Sequence, residues 1–320
     1  MTLPEIPAPH RVELSGLTLS VHEAGEGPAV VFCHGFPDLA RSWAHALAAV
    51  AGAGYRGLAA DGRGYGGSDA PPEVSDYDIV HLTGDLVGLL DAKGIDRAVF
   101  VGHDWGGFVV WAMPLLHPER CLGVVGVNTP YVPSPTTAMF RLAFPDPEKF
   151  YVLWFQDEGV AEARLDPQAR RVLQIVHQRL GEPETLGMAN LEDANPFRNV
   201  EELSLDGEPL LSPEELDLYA DAYARNGFRG PVNWYRNLDR NAELVPQHGK
   251  QVLELPCLMV TSAWDVALPP SAADGMKDLC SDLERVDIAA CGHFTPREKP
   301  VELSRALVDW LDRKIRPIAG

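Results

Sequence analysis

The chain has 320 residues, room for one large domain or for one domain carrying a sizeable insertion. Its 46% hydrophobic and 23% charged residues suit a globular protein with a substantial core. A net charge of −19, from 46 acidic against 27 basic side chains, repels phosphate backbones and anionic lipid, so no nucleic acid and no membrane is expected as a partner.

The opening stretch MTLPEIPAPHRVELSG has neither a basic start nor an apolar run of signal length, so a cytoplasmic location is expected. Residues 11–14 and 17–21 alternate apolar and polar side chains around Gly16 and predict an antiparallel hairpin. Residues 28–33 (PAVVFC) form the continuous apolar run of a strand buried on both faces. A helix over 39–50 and a strand over 55–60 come next. A helix over 78–93 follows, with Ile79, Leu82, Leu86, Leu89 and Leu90 recurring on one face. A strand over 98–102 leads into a turn at Asp104, a helix from Trp105 and a strand over 122–127. Pro114 inside that helix predicts a kink or an early end. Such alternation signals an α/β protein whose parallel sheet is covered by helices on both sides.

The alternation stops near Asn128-Thr129-Pro130. Pro130, Pro133 and Pro135 open a stretch that reads as helical and shows no strand pattern. Within it, residues 158–180 are charged and periodic. Ser212-Pro213-Glu214-Glu215 is a helix start, with Ser at the N-cap, Pro at the first helical position and Glu at the third. Strands resume over 257–261 and 283–288, and a helix over 301–314 closes the chain. The expected organisation is a discontinuous core, 1–130 plus 250–320, interrupted by a helical insertion over 131–249.

Gly62-Arg63-Gly64-Tyr65-Gly66-Gly67 contains G-x-G-x-x-G, but the loop-like Ser68-Asp69-Ala70-Pro71-Pro72 follows where a dinucleotide site needs a helix, so the glycines read as tight turns. With no G-x-x-x-x-G-K-[ST] and no H-E-x-x-H, neither a cofactor nor a metal is expected. The five cysteines are odd in number, lack a C-x-x-C pair and lie partly in apolar runs, which suits a reducing compartment rather than a disulfide framework. Cys291, two residues before His293, reads as structural.

Gly102-His103-Asp104-Trp105-Gly106-Gly107 sits between a strand and a helix. There a sharp turn lifts one side chain above the C-terminal edge of the sheet and flanking glycines relieve the crowding. Helix capping by Asp104 is the competing explanation, but it leaves Gly102 and Gly106 unexplained. Hydrolases built on this turn present nucleophile, acid and histidine in that chain order. Asp104, then Asp265 and His293, each just past a strand, satisfy it. His103 should point away from its neighbour and reads as structural, and His34 also lies within a motif. His34-Gly35-Phe36-Pro37 follows another strand, so the backbone N–H groups of Phe36 and Trp105 could converge on a developing oxyanion.

These motifs and the helical insertion together resemble the α/β-hydrolase fold over nearly the whole chain, with a mostly parallel eight-stranded sheet and an inserted cap. Within that fold the chain looks like epoxide hydrolases of the soluble type. Phe150-Tyr151-Val152-Leu153-Trp154-Phe155-Gln156 and residues 229–237 (RGPVNWYRN) resemble the family's two cap tyrosine segments. The phosphatase-like N-terminal domain of the mammalian soluble enzymes is expected to be absent, since the sheet pattern begins almost at once. The resemblance implies that Asp104 attacks an epoxide carbon to form an ester, while Tyr151 and Tyr235 hydrogen-bond the ring oxygen. His293, oriented by Asp265, then activates water. It implies a small hydrophobic epoxide held by Phe36, Trp105 and Trp234. A homodimer is left open.

The alternative is a haloalkane dehalogenase, which shares the same three catalytic residue types. Phe36 stands where that family commonly has asparagine, and the tyrosine segments fit only the epoxide reading. Arginine, which follows the nucleophile in fluoroacetate-type dehalogenases, is replaced by Trp105. Serine is absent from the turn, which disfavours an esterase, and the intact constellation disfavours a binding protein without catalysis.

Overall fold

The computed structural model describes residues 4–179, 181 and 193–319. Eight strands make one sheet: β1 (His10–Glu13), β2 (Thr18–Ala24), β3 (Ala29–Cys33), β4 (Arg56–Ala60), β5 (Ala98–His103), β6 (Cys121–Val127), β9 (Leu253–Ser262) and β10 (Cys280–Ile288). Their spatial order is β1-β2-β4-β3-β5-β6-β9-β10. The hairpin β1–β2 and the β2–β4 pair are antiparallel, and every other pairing is parallel. In the hairpin turn Gly16 adopts φ +87°, a left-handed value that glycine takes without penalty.

The apolar runs follow from burial on both faces. Along β3, Val31 and Cys33 pack to one side while Val30 and Phe32 pack to the other; along β5, Phe100 opposes Val99 and Val101. Helices α1 (Ala44–Gly52) and α12 (Pro300–Trp310) cover one face, and α2 (Ile79–Ala92) and α3 (Trp105–Leu116) the other. Asp78 caps α2 through the amide of His81, which is why that helix begins one residue after the expected start. Pro114 lies inside α3, which ends two residues later at Leu116, the early end expected of a residue that cannot donate a helix bond. The short helix α11 (Thr295–Glu298) precedes the closing helix α12, which continues through a wider π turn, Leu311–Ile315. The crossover from β9 to β10 contains a 3₁₀ helix, Pro270–Asp278, that the sequence pattern does not reveal.

Between β6 and β9 the chain builds α4 (Thr137–Ala143), α5 (Tyr151–Trp154), α6 (Val160–Leu165), α7 (Ala169–Val176), α8 (Pro213–Asn226), α9 (Arg229–Arg236) and α10 (Leu238–Leu244). The start of α8 carries the full reciprocal box, Ser212 accepting from the Glu215 amide and Glu215 from the Ser212 amide. The expectation of no strands here is corrected by a short antiparallel ribbon, β7 (Gln178–Arg179) with β8 (Glu208–Pro209). Two-residue strands are too short to show alternation. Leu180, the last residue of the periodic stretch, lies outside the described residues. No helix among the described residues is long and apolar enough to cross a membrane.

The strand order runs outward from β3 to β4 on one side and from β5 to β6 on the other. A crevice therefore opens beyond the C-terminal ends of β3 and β5. Register brings the strand ends level: Cys33 pairs with Gly102, His103 with Val127, Val127 with Val260, and Ser262 with Ile288.

Candidate active site

Asp104 occupies the turn between β5 and α3 with φ 52° and ψ −122°, a conformation that costs an L-residue on the order of 1–3 kcal/mol. The glycines around it are required by contact. A Cβ on Gly102 would lie 2.1 Å from the Gly106 carbonyl oxygen, and one on Gly106 would lie 2.1 Å from that of Cys33. Thr129 fixes the turn from the β6 side by donating to the Asp104 carbonyl at 2.7 Å. Although Asp104 stands at the N-cap position of α3, its side chain caps nothing. Its Oδ1 instead accepts the Phe36 amide at 2.7 Å. Helix capping therefore does not account for this carboxylate.

The loop after β3 is shaped to reach it. A Cβ on Gly35 would fall 2.3 Å from Asp104 Oδ1, so only glycine lets the loop approach. His34 ties the loop down, its Nε2 accepting from the Gly62 amide at 3.0 Å and its Nδ1 meeting the Gly35 carbonyl at 2.8 Å. The Trp105 amide, the second expected donor, makes no hydrogen bond to Asp104 among the described residues.

His293 Nδ1 lies 3.0 Å from Asp265 Oδ2, and His293 Nε2 lies 3.5 Å from Asp104 Oδ2. The second distance is long for a hydrogen bond and describes an ion-pair contact. Asp265 is buried yet fully engaged. Its Oδ1 accepts the amides of Ala267 and Leu268 at 2.9 and 3.0 Å, and its Oδ2 also accepts Asn128 Nδ2 at 2.6 Å. Thr295 holds Asn128 in turn through its Oδ1 at 2.7 Å. His103, read from sequence as structural, points under the site: its Nε2 meets the His293 carbonyl at 2.7 Å. Cys291 is buried, as are the other four cysteines, all of them free thiols. Asn128, Thr295 and the His103 contact escape the motif reading. Asn128 directly follows β6 on the same rim, so the strand-end rule that selects Asp265 could have flagged it.

Burial works to raise the Asp104 carboxyl, but the His293 contact and the Phe36 amide outweigh it and hold the group below its ordinary value. The same contest is won at Asp265 by the His293 charge and the surrounding donors. At His293 burial would favour the neutral ring, but the charge of Asp265, aided by Asp104, reverses this and lifts the imidazole well above its usual value. Two carboxylates therefore flank the imidazole, and their charge favours its protonated form.

Above these groups a cavity of about 380 Å³ opens, a volume suited to a small organic molecule. Asp104, His293, Tyr151 and Tyr235 bring polar groups to its walls, and Phe36, Phe197, Phe294, Ile175, Val176 and Leu203 make the rest largely apolar. Tyr151 starts α5 and Tyr235 ends α9, with their rings 5.7 Å apart. Burial first, and then neighbouring groups including the Asp104 charge, push both phenols above their usual range, so both remain donors.

Two expected wall residues lie elsewhere. Trp234 points away from this cavity; its Nε1 donates to the Arg63 carbonyl at 3.2 Å and its ring packs edge-on to Tyr65. The reason is helical geometry, because adjacent residues on α9 cannot face one side, and Tyr235 takes the cavity face. Trp105 is likewise off the wall and packs edge-on against Tyr235, with ring centroids 4.9 Å apart. No cluster of metal-ligating side chains occurs among the described residues.

A family model described as alpha/beta hydrolase fold matches residues 28–300. The chain is 40% identical to epoxide hydrolase A of Mycobacterium tuberculosis, over 95% of this chain and 97% of that protein. It is 39% identical to bifunctional epoxide hydrolase 2 of Sus scrofa, over 94% of this chain but only 54% of that protein, so it spans about half the length of such relatives. The crystal structure of epoxide hydrolase A from Mycobacterium thermoresistibile is similar with a TM-score of 0.88 and 38% identity, covering 96% of this chain and 98% of that one. The turn at Asp104, the rim of strand ends and these similarities lead to one conclusion: the chain belongs to the alpha/beta hydrolase fold family, among the epoxide hydrolases.

Proposed function

We propose that the protein hydrolyses a small, largely apolar epoxide to a vicinal diol through an ester on Asp104. The observation that carries this reading is the pair of neutral phenols, Tyr151 and Tyr235, sharing one cavity with the carboxylate of Asp104. Asp104 Oδ2 attacks a ring carbon and the carbon–oxygen bond breaks away from it. A tyrosine proton passes to the departing oxygen, a contribution of roughly 10²–10⁴ in rate. Ester formation removes the Asp104 charge, and with it part of what holds the His293 proton. That proton leaves through solvent and replaces the one the tyrosine gave up. Neutral His293, oriented by Asp265, then takes a proton from water, which attacks the ester carbonyl. The negative oxygen that forms is stabilised by the Phe36 amide, a kind of donor worth about 10²–10³ in rate. The carbonyl re-forms as the Cγ–Oδ2 bond of Asp104 breaks, the departing oxygen takes the proton of the newly added hydroxyl, and the diol leaves with Asp104 restored as a carboxylate.

In this reading residues 131–249 act as a cap over a core of 1–130 and 250–320, and the whole operates in a reducing, cytoplasmic setting. The dehalogenase alternative has less support, because Phe36 stands where that family commonly has asparagine and two phenols share the cavity with Asp104.

A single turnover with excess enzyme in heavy-oxygen water tests the proposal. The first diol should carry no label, because its new oxygen comes from Asp104; label in that first product would overturn the covalent route. His293→Gln should trap the ester, seen by intact mass as a gain equal to the epoxide.

A further inference from the structure

A second constellation of buried polar groups lies beside the cavity and takes no part in the steps above. Tyr219 and Tyr223 stand one turn apart on one face of α8, both buried. The Tyr219 hydroxyl donates to Asp38 Oδ1 at 2.5 Å, and the Tyr223 hydroxyl reaches the Asp38 carbonyl at 3.5 Å. Asp38 closes the turn that carries Phe36, its amide donating to the Gly35 carbonyl at 3.1 Å. Arg297, four residues after His293, completes the set. It donates to Glu215 of α8 at 3.0 Å and to the Tyr219 hydroxyl, and stands 3.7 Å from Asp38 Oδ1. Its guanidinium also lies over the Tyr219 ring, 5.1 Å from the centroid.

One cluster therefore joins three parts of the chain: the loop bearing the oxyanion donor, the segment following the catalytic histidine, and a helix of the inserted stretch. Such a cluster is a poor way to gain stability. Well-packed apolar residues of similar volume commonly serve as well as a buried ion pair, whose desolvation cost offsets its attraction. What it supplies is geometry, since forked hydrogen bonds fix direction where apolar contact does not.

We propose that Arg297, Tyr219 and Asp38 are positioning residues that aim the Phe36 amide at Asp104, and that they act chiefly in the hydrolysis of the ester. The proposal rests on the epoxide-opening reading above. The asymmetry between the two steps follows from charge. In ring opening Asp104 loses negative charge, so a donor on Oδ1 gains nothing as the reaction proceeds. In ester hydrolysis negative charge appears on that oxygen, and a well-aimed amide is needed most in the transition state. Loosening the clamp moves the turn at Asp38 and with it the N–H two residues earlier.

Styrene oxide as probe, with rapid quench and intact-mass detection, separates ester formation from ester decay. In Arg297→Met and in Tyr219→Phe, decay should slow by about tenfold or more, since misplacements near 1 Å cost on the order of 10²-fold, while formation changes much less. Arg297→Lys keeps the charge without the fork and should recover only part of the loss. Equal changes in both steps, or none in either, would overturn the proposal. Melting temperature distinguishes aim from folding, and if Arg297→Met unfolds, Tyr219→Phe, which removes a single oxygen, decides alone. Absence of any ester in both the unaltered chain and His293→Gln would instead reject the underlying epoxide reading.

Discussion

His293 Nε2 stands 3.5 Å from Asp104 Oδ2 while its Nδ1 holds Asp265 at 3.0 Å, so the imidazole is coupled to both carboxylates, one of them the nucleophile of the proposed mechanism. Neighbouring negative charge favours the imidazolium, and its removal must lower the His293 pKa. Asp104→Asn should shift the NMR titration of His293 to lower pH. Asp265→Asn should shift it further, because the charge of Asp265 contributes more to the elevation than that of Asp104. Unchanged titration in both variants would show that neither carboxylate raises the His293 pKa.

The tyrosines give a test at the other end of the cavity. Tyr151→Phe and Tyr235→Phe each leave one donor, and the double variant leaves none. Loss of both should lower the rate of ring opening by roughly 10²–10⁴, the range for general-acid help, while the folded state persists because only two hydroxyls are removed. Near-normal ester formation in the double variant would remove the acid role.

Gly35→Ala probes the closest approach in the site. The new methyl would lie 2.3 Å from Asp104 Oδ1 and must displace either the carboxylate or the loop. Displacement on the order of 1 Å should cut kcat/KM by about 10²-fold. Steady-state kinetics beside a melting curve checks this; a variant with normal turnover would mean that the loop can withdraw without consequence.

Acid should weaken the fold through buried histidines. His103 and His177 are held down to about 4 chiefly by burial, whereas an unfolded histidine takes a proton near pH 6.5. Between about pH 6.5 and about 4 the unfolded state binds more protons, so this share of stability is present above that window and is lost as pH falls through it. Calorimetry should show the melting temperature dropping across the window, and His103→Gln, which keeps a donor toward the His293 carbonyl, should flatten the drop. An equal slope in the variant would assign the acid sensitivity elsewhere.

Much of this protein is legible along the chain. The strands of a parallel sheet are buried on both faces, so β3, β5 and β6 are written as unbroken apolar runs. Functional groups in such sheets sit at C-terminal strand ends, so Asp104, Asp265 and His293 can be selected as candidates by position and order before any contact is known. The glycines of the turn are equally legible, because so sharp a turn brings neighbouring backbone too close for a Cβ. Tyr151 and Tyr235 are a different case: only their resemblance to known cap segments separates them from the other six tyrosines.

Tertiary structure alone decided which side chains meet. Trp234 and Tyr235 are neighbours in sequence, yet the pitch of α9 sends one to Arg63 and the other to the cavity. Asn128 and Asp265 are separated by 137 residues and meet because β6 and β9 are adjacent in the sheet. Asp38 and Arg297, in an unmarked turn and an unmarked helix, are buried together only because α8 packs across both. Local pattern records how each segment faces the core, whereas the pairing of distant polar groups depends on strand order and helix packing, which leave no periodic trace in the residues themselves.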